Sequence, residues 1–140
     1  MNKKNSLIEY LLRFVVASIF ISHGIIAYLG KEQWVEYLSF ITQNETEAYL
    51  IMKIIGVLDI SLGLTVVFYP IPIVLLWCTF WGFLTAAMRP IYGESFLEFF
   101  ERAGNWITPL VLYLEIKSLK KCINLRTVKF LSTRMLKIQN

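Results

Sequence analysis

The residues able to do chemistry are few: His23, Lys53, Asp59, Glu98, Glu101, Arg102 and Asn105. His23, Lys53 and Asp59 stand inside apolar stretches, where an ionised side chain at mid-bilayer costs about 2.5 to 3.5 kcal/mol. Asp59 is the costliest, because neither end of its stretch offers an easy route to water. It must be neutral, paired or beside a hydrated cavity. Gly56 and Gly63 share its helical face within about 60° at about 100° per residue, which forms a groove a second helix can enter closely. Asp59 then has two readings, a carboxylate that glues two helices together or one that serves a site. His23, followed by Gly24, has the same pair of readings: an interhelical hydrogen bond, or ligand binding and proton transfer. Lys53, six residues earlier and nearer the outer surface, partners Asp59 or snorkels outward. Arg13 reads as a snorkelling side chain. Glu98, Glu101, Arg102 and Asn105 are spaced as one helical face, with Phe96, Phe99 and Phe100 on the other side. That pattern suits an interfacial helix. It also suits the lining of an outward-opening pocket shared with His23, Lys53 and Asp59.

Other chemistries are poorly supported. A single histidine excludes a multi-histidine metal or haem site, and no metal site is expected. Cys78 falls in an apolar stretch and Cys122 in a basic tail, so a bridge between them is disfavoured, and no Cys-x-x-Cys pair occurs. There is no glycine-rich phosphate loop and no nucleophile-base ordering. Catalytic residues cannot be assigned, and a non-catalytic role is the expectation.

The elements that position these residues follow from composition. The 140 residues are 56% hydrophobic and 15% aromatic, with a mean hydropathy of +0.57, more than a soluble domain needs for one core. Four apolar segments, at about 7–29, 48–69, 72–88 and 104–119, approach the roughly 20 residues that span a bilayer. The expected fold is all-α: an integral membrane four-helix bundle over 1–119, with a short amphipathic helix before the last span. Pro70-Ile71-Pro72 marks a tight turn between the second and third segments, and Arg89-Pro90 closes the third. Either a short interfacial helix precedes a short last span or one long helix starts near Ser95; two pieces hinged at Gly104 are the expectation. Residues 120–140 form a basic amphipathic tail, in which Lys120, Lys121, Arg126, Lys129, Arg134 and Lys137 suit an anionic membrane surface.

The net charge of +4 gathers at the chain ends, which points to topology rather than to a nucleic-acid partner. The segment after the first span is acidic, so both termini are expected in the cytoplasm and the number of spans is even. A bacterial inner membrane is the expected location. Asn44-Glu45-Thr46 is a formal glycosylation sequon, a triplet common by chance.

Arg13, Phe20 and His23-Gly24 in the first span, with Gly56-x-x-Asp59-x-x-x-Gly63 in the second, resemble the DoxX-like family of small four-helix membrane proteins, which includes the DoxD-type subunit of thiosulfate:quinone oxidoreductase. The likeness covers about the first half of the chain. The family usually carries glutamate at the Asp59 position, and often lysine where this chain has Ala27. The resemblance implies a four-helix bundle and a loose association with membrane redox or stress functions. Three readings of function stay open. The first is a non-catalytic membrane subunit or small-ligand-binding bundle. The second is a quinone-linked redox component, in which His23 and Asp59 handle protons while a partner carries electrons. The third is a small transporter or oligomeric channel, disfavoured as an alternating-access carrier by the lack of an inverted repeat. No cofactor is expected in the chain itself; a quinone or lipid is the candidate ligand, and the bilayer, a membrane redox complex or a second copy are the candidate partners.

Overall fold

The computed structural model describes residues 3–118. The basic tail, with Lys120, Lys121, Cys122, Arg126, Lys129, Arg134 and Lys137, lies outside the described residues. Helices α1 (Lys3–Tyr28), α2 (Glu32–Thr42), α3 (Glu45–Phe68), α4 (Pro72–Tyr92) and α5 (Phe96–Glu101) follow in order, and a further helix, α6, occupies 103–118. No strand occurs among the described residues.

Three of these helices are long and apolar enough to cross a membrane: Leu7–Tyr28, Glu45–Phe68 and Pro72–Tyr92, with mean hydropathies of 1.8, 2.1 and 1.3. Their outer faces agree with a lipid surrounding. Phe14, Phe68 and Ile73 are 71%, 68% and 69% exposed, which water would penalise and hydrocarbon accepts. Hydroxyls on these faces are satisfied inside their own helices: Ser18 donates to the Phe14 carbonyl at 2.7 Å and Ser61 to the Val57 carbonyl at 2.8 Å, the back-bonding expected where water is scarce.

The ends of the helices follow local chemistry. Gly30, at φ +73°, turns the chain after α1. Asn44 caps α3, its side chain accepting from the backbone of Thr46 at 3.0 Å and of Glu47 at 3.4 Å, while Glu45 and Glu47 complement the helix dipole. The sequon asparagine is thus engaged as a cap. Pro72 occupies the start of α4, where its missing N–H costs nothing.

Pro90 does not end α4, contrary to the sequence expectation. The helix continues to Tyr92 and stops at Gly93, φ 104°, whose N–H donates to Pro90 while that of Glu94 donates to Arg89 at 3.0 Å. This closure needs a left-handed residue, and glycine supplies it. Residues 32–42, read as an acidic connection, form the helix α2. The break before α6 falls at Arg102, φ −91° and ψ 10°, rather than at Gly104, which lies inside α6.

α1 and α3 meet backbone to backbone. A Cβ built on Gly24 would stand 2.7 Å from the Gly56 carbonyl oxygen, and one on Gly56 would stand 2.6 Å from that of Gly24. Gly63 sits as tightly against Ile21. The same device joins α4 to α6, where a Cβ on Gly82 would stand 2.7 Å from the Asn105 carbonyl oxygen. Small residues let helices approach where no hydrophobic force drives them together in lipid. Two apolar clusters fill the interior. Val16, Phe20, Val66, Leu75, Cys78, Leu112 and Ile116 join α1, α3, α4 and α6, and Ala27, Val35, Ala48 and Met52 seat α2 on α1 and α3.

Candidate functional site

Between the two apolar clusters the interior opens into a cavity of about 390 Å³. Its wall is mostly apolar, with Phe20, Trp34, Met52, Ile55, Trp81 and Met88 prominent. Polar side chains reach it from five helices and the turn before the last: His23 from α1, Tyr37 from α2, Asp59 from α3, Thr85 and Arg89 from α4, Arg102 from the turn and Asn105 from α6.

Asp59 is 7% exposed, and its Oδ1 has no hydrogen-bond partner among the described residues. It lies on the same face of α3 as Gly56 and Gly63, all three buried, because their spacing repeats the helical turn. The close α1–α3 contact therefore turns this carboxylate inward. His23 packs its ring edge-to-face on Trp34, with centroids 5.6 Å apart, one turn of α1 before Ala27 on the same wall.

Arg89 anchors a polar network beside the cavity. Only 6% exposed, it bonds Glu94 at 2.9 Å and Glu98 at 3.0 Å. Glu94 also accepts from the Tyr37 hydroxyl and from Gln33 Nε2 at 2.9 Å. The Tyr37 hydroxyl is the largest cause holding the Glu94 carboxyl below its usual range, with Arg89 adding to it. Burial, then the bond to Glu94, pushes the Tyr37 phenol up to about 12. α2 is thus tied to the α4–α5 turn through charge-assisted bonds. Arg102 makes no ion pair among the described residues, and its Nε is buried without a partner. Burial, and then the nearby Arg89 charge, draws its pKa below the ordinary arginine value.

The residues singled out from sequence divide accordingly. His23, Asp59, Arg102 and Asn105 share the cavity wall. Lys53 is exposed; six residues from Asp59, it is turned about 120° around α3 and faces away. Glu98 is committed to Arg89, and Glu101 is exposed. Glu98, Glu101, Arg102 and Asn105 do not form one continuous helical face, because the chain turns at Arg102. Arg13 pairs with Glu9 one turn earlier on α1. Sequence reasoning missed Arg89, Glu94, Tyr37 and the two tryptophans. Arg89 had a signal, a cation at the end of an apolar run, but Pro90 made it read as a loop residue. Among the described residues, no group of three or more His, Cys, Asp and Glu side chains could hold a metal.

Comparison with protein-family models, with curated proteins and with solved structures returned no match to this chain.

Proposed function

We propose that the chain is an integral membrane four-helix bundle, with α6 as its fourth span, that holds a small amphiphilic molecule without transforming it. The cavity carries this reading. At about 390 Å³ it falls in the range of small-molecule sites, about 300 to 1,000 Å³, and it has their usual make-up of apolar walls with a few convergent polar groups. The proposal keeps the resemblance to DoxX-like proteins. Phe20, His23 and Asp59 of the shared pattern line the cavity, and Gly24, Gly56 and Gly63 form the α1–α3 contact beside it. Both termini in the cytoplasm of a bacterial inner membrane complete the reading.

A quinone-linked redox component is the second reading, supported by His23 and Asp59 facing one aromatic-walled cavity, where protons and an electron carrier brought by a partner could meet. Native mass spectrometry of the protein extracted directly into lipid nanodiscs separates the two. A retained non-quinone amphiphile, lost when Ala27 on the cavity wall is enlarged to Leu, is the expected result. A retained quinone would favour the second reading. A protein that retains nothing and shows no saturable binding of any amphiphile would overturn both.

A further inference from the structure

Two ionisable side chains of opposite type on the cavity wall, Asp59 and Arg102, each carry a buried polar atom without a partner. Asp59 Oδ1 and Arg102 Nε are both buried with no hydrogen-bond partner among the described residues, and no ion pair joins the two side chains. Burial without a partner is expensive for each. The other charged groups nearby are engaged elsewhere: Arg89 is held by Glu94 and Glu98, and Glu94 is further bound by Tyr37 and Gln33. His23 is packed edge-on against Trp34.

The helices set the separation. Asp59 is nine residues from the Phe68 end of α3 and Gly82 is ten residues from the Pro72 end of α4, two ends joined by a short turn. At about 1.5 Å per residue the two therefore lie at nearly the same height in the bundle. Gly82 touches Asn105, and Arg102 is one turn above Asn105, so Arg102 stands roughly 6 Å above Asp59 along the bundle axis. The cavity occupies the space between them.

Resting on the ligand-binding reading above, we infer that the cavity takes a carboxylate that carries a hydroxyl at its far end, with the hydroxyl donating to Asp59 and the carboxylate accepting from Arg102 and Asn105. Phe20, Trp34 and Trp81 enclose the apolar body between the two ends. Such a molecule satisfies both unpartnered atoms at once. A fatty acid satisfies only Arg102, and a simple alcohol satisfies only Asp59.

Three probes test this in nanodiscs by titration calorimetry, with empty nanodiscs subtracting bilayer partition: para-hydroxyphenylpropionate, phenylpropionate and para-ethylphenol. The wild-type protein should bind the first tighter than either of the others by on the order of tenfold, the worth of one hydrogen bond to a charged group. Asp59→Leu, which removes the acceptor, should erase the advantage over phenylpropionate, Asp59→Asn should only reduce it, and Arg102→Gln should reduce the advantage over para-ethylphenol. Equal binding of all three probes to wild type would overturn the inference while leaving a ligand site in place, and this arm needs no variant to fold. Binding of none of the probes, in a protein that retains a different amphiphile by mass spectrometry, would overturn the inference alone. Binding of none with nothing retained would overturn the ligand-binding reading as well.

Discussion

Arg89 sits near the end of α4 with both Glu94 and Glu98 in its grasp, and it is more buried than either carboxylate, with a side chain 8% exposed against 21% and 39%. Removing one partner of a buried ion pair leaves the others uncompensated and costs about 3 to 5 kcal/mol in full burial; the partial exposure of the acids reduces this. Arg89→Gln should therefore lower stability by about 2 kcal/mol, measured by detergent denaturation. Arg89→Lys should recover only part of it, because one ammonium does not span two carboxylates as a planar guanidinium does.

The Tyr37–Glu94 bond makes this network sensitive to pH in both directions. Tyr37 has its pKa raised from 10.0 to about 12, so its stabilising contribution is complete below pH 10 and fades as pH climbs from 10 towards 12. Glu94 has its pKa lowered from 4.5, so its contribution is complete above that value and fades as pH falls through the depressed value. Thermal stability should fall between pH 10 and 12. In Tyr37→Phe that alkaline step should vanish, leaving stability lower throughout. An unchanged profile in the variant would assign the step to another group.

At the scale of elements, the closest approaches between helices are made at glycines, beside the apolar cluster that joins α1, α3, α4 and α6. Gly24 and Gly56 oppose each other's backbones, and a backbone cannot move aside as a flexible side chain can. Gly56→Ala should cost about 1 to 3 kcal/mol through overpacking, and Gly24→Ala a similar amount. Gly104 is the contrast: nothing lies within 4 Å of a Cβ built there, and it sits inside α6. Gly104→Ala should be neutral or stabilise by up to about 1 kcal/mol through helix propensity. Thermal melts of the three variants in one detergent check this ordering. Equal losses at all three would mean that close approach is not what the glycines provide.

For the whole molecule, the question is how many times the chain crosses the bilayer. Three helices have the length and hydropathy to do so. The described part of α6 contributes Leu112 and Ile116 to the core those helices share. If α6 also spans, the number of crossings is even and both chain ends lie on one side. Reporter fusions at Asn5 and Gln139 should then both read cytoplasmic. Opposite readings would reduce the bundle to three spans and place α6 against them on one side of the membrane.

Composition and hydropathy alone determined that this chain is helical and apolar enough for a membrane, since a solvent without water leaves only structures that satisfy their own backbone. The glycine spacing around Asp59 located its face, because the helical period is a local property. Tertiary structure decided the rest. The helix at 32–42 was hidden because its apolar face has meaning only against α1 and α3, through Val35. The end of α4 was misplaced because proline weighs against helix locally, while the actual stop depends on how Gly93 closes the chain. The site was half legible. His23, Asp59, Arg102 and Asn105 declare themselves as polar groups in or beside apolar runs, yet Lys53 does so equally and faces away from the cavity. Arg89 and Tyr37 acquire their places only when α2 and the turn after α4 meet, 57 residues apart in sequence between Tyr37 and Glu94. Which polar groups pair with one another and which face the cavity is a matter of distance between helices, and no local pattern encodes it.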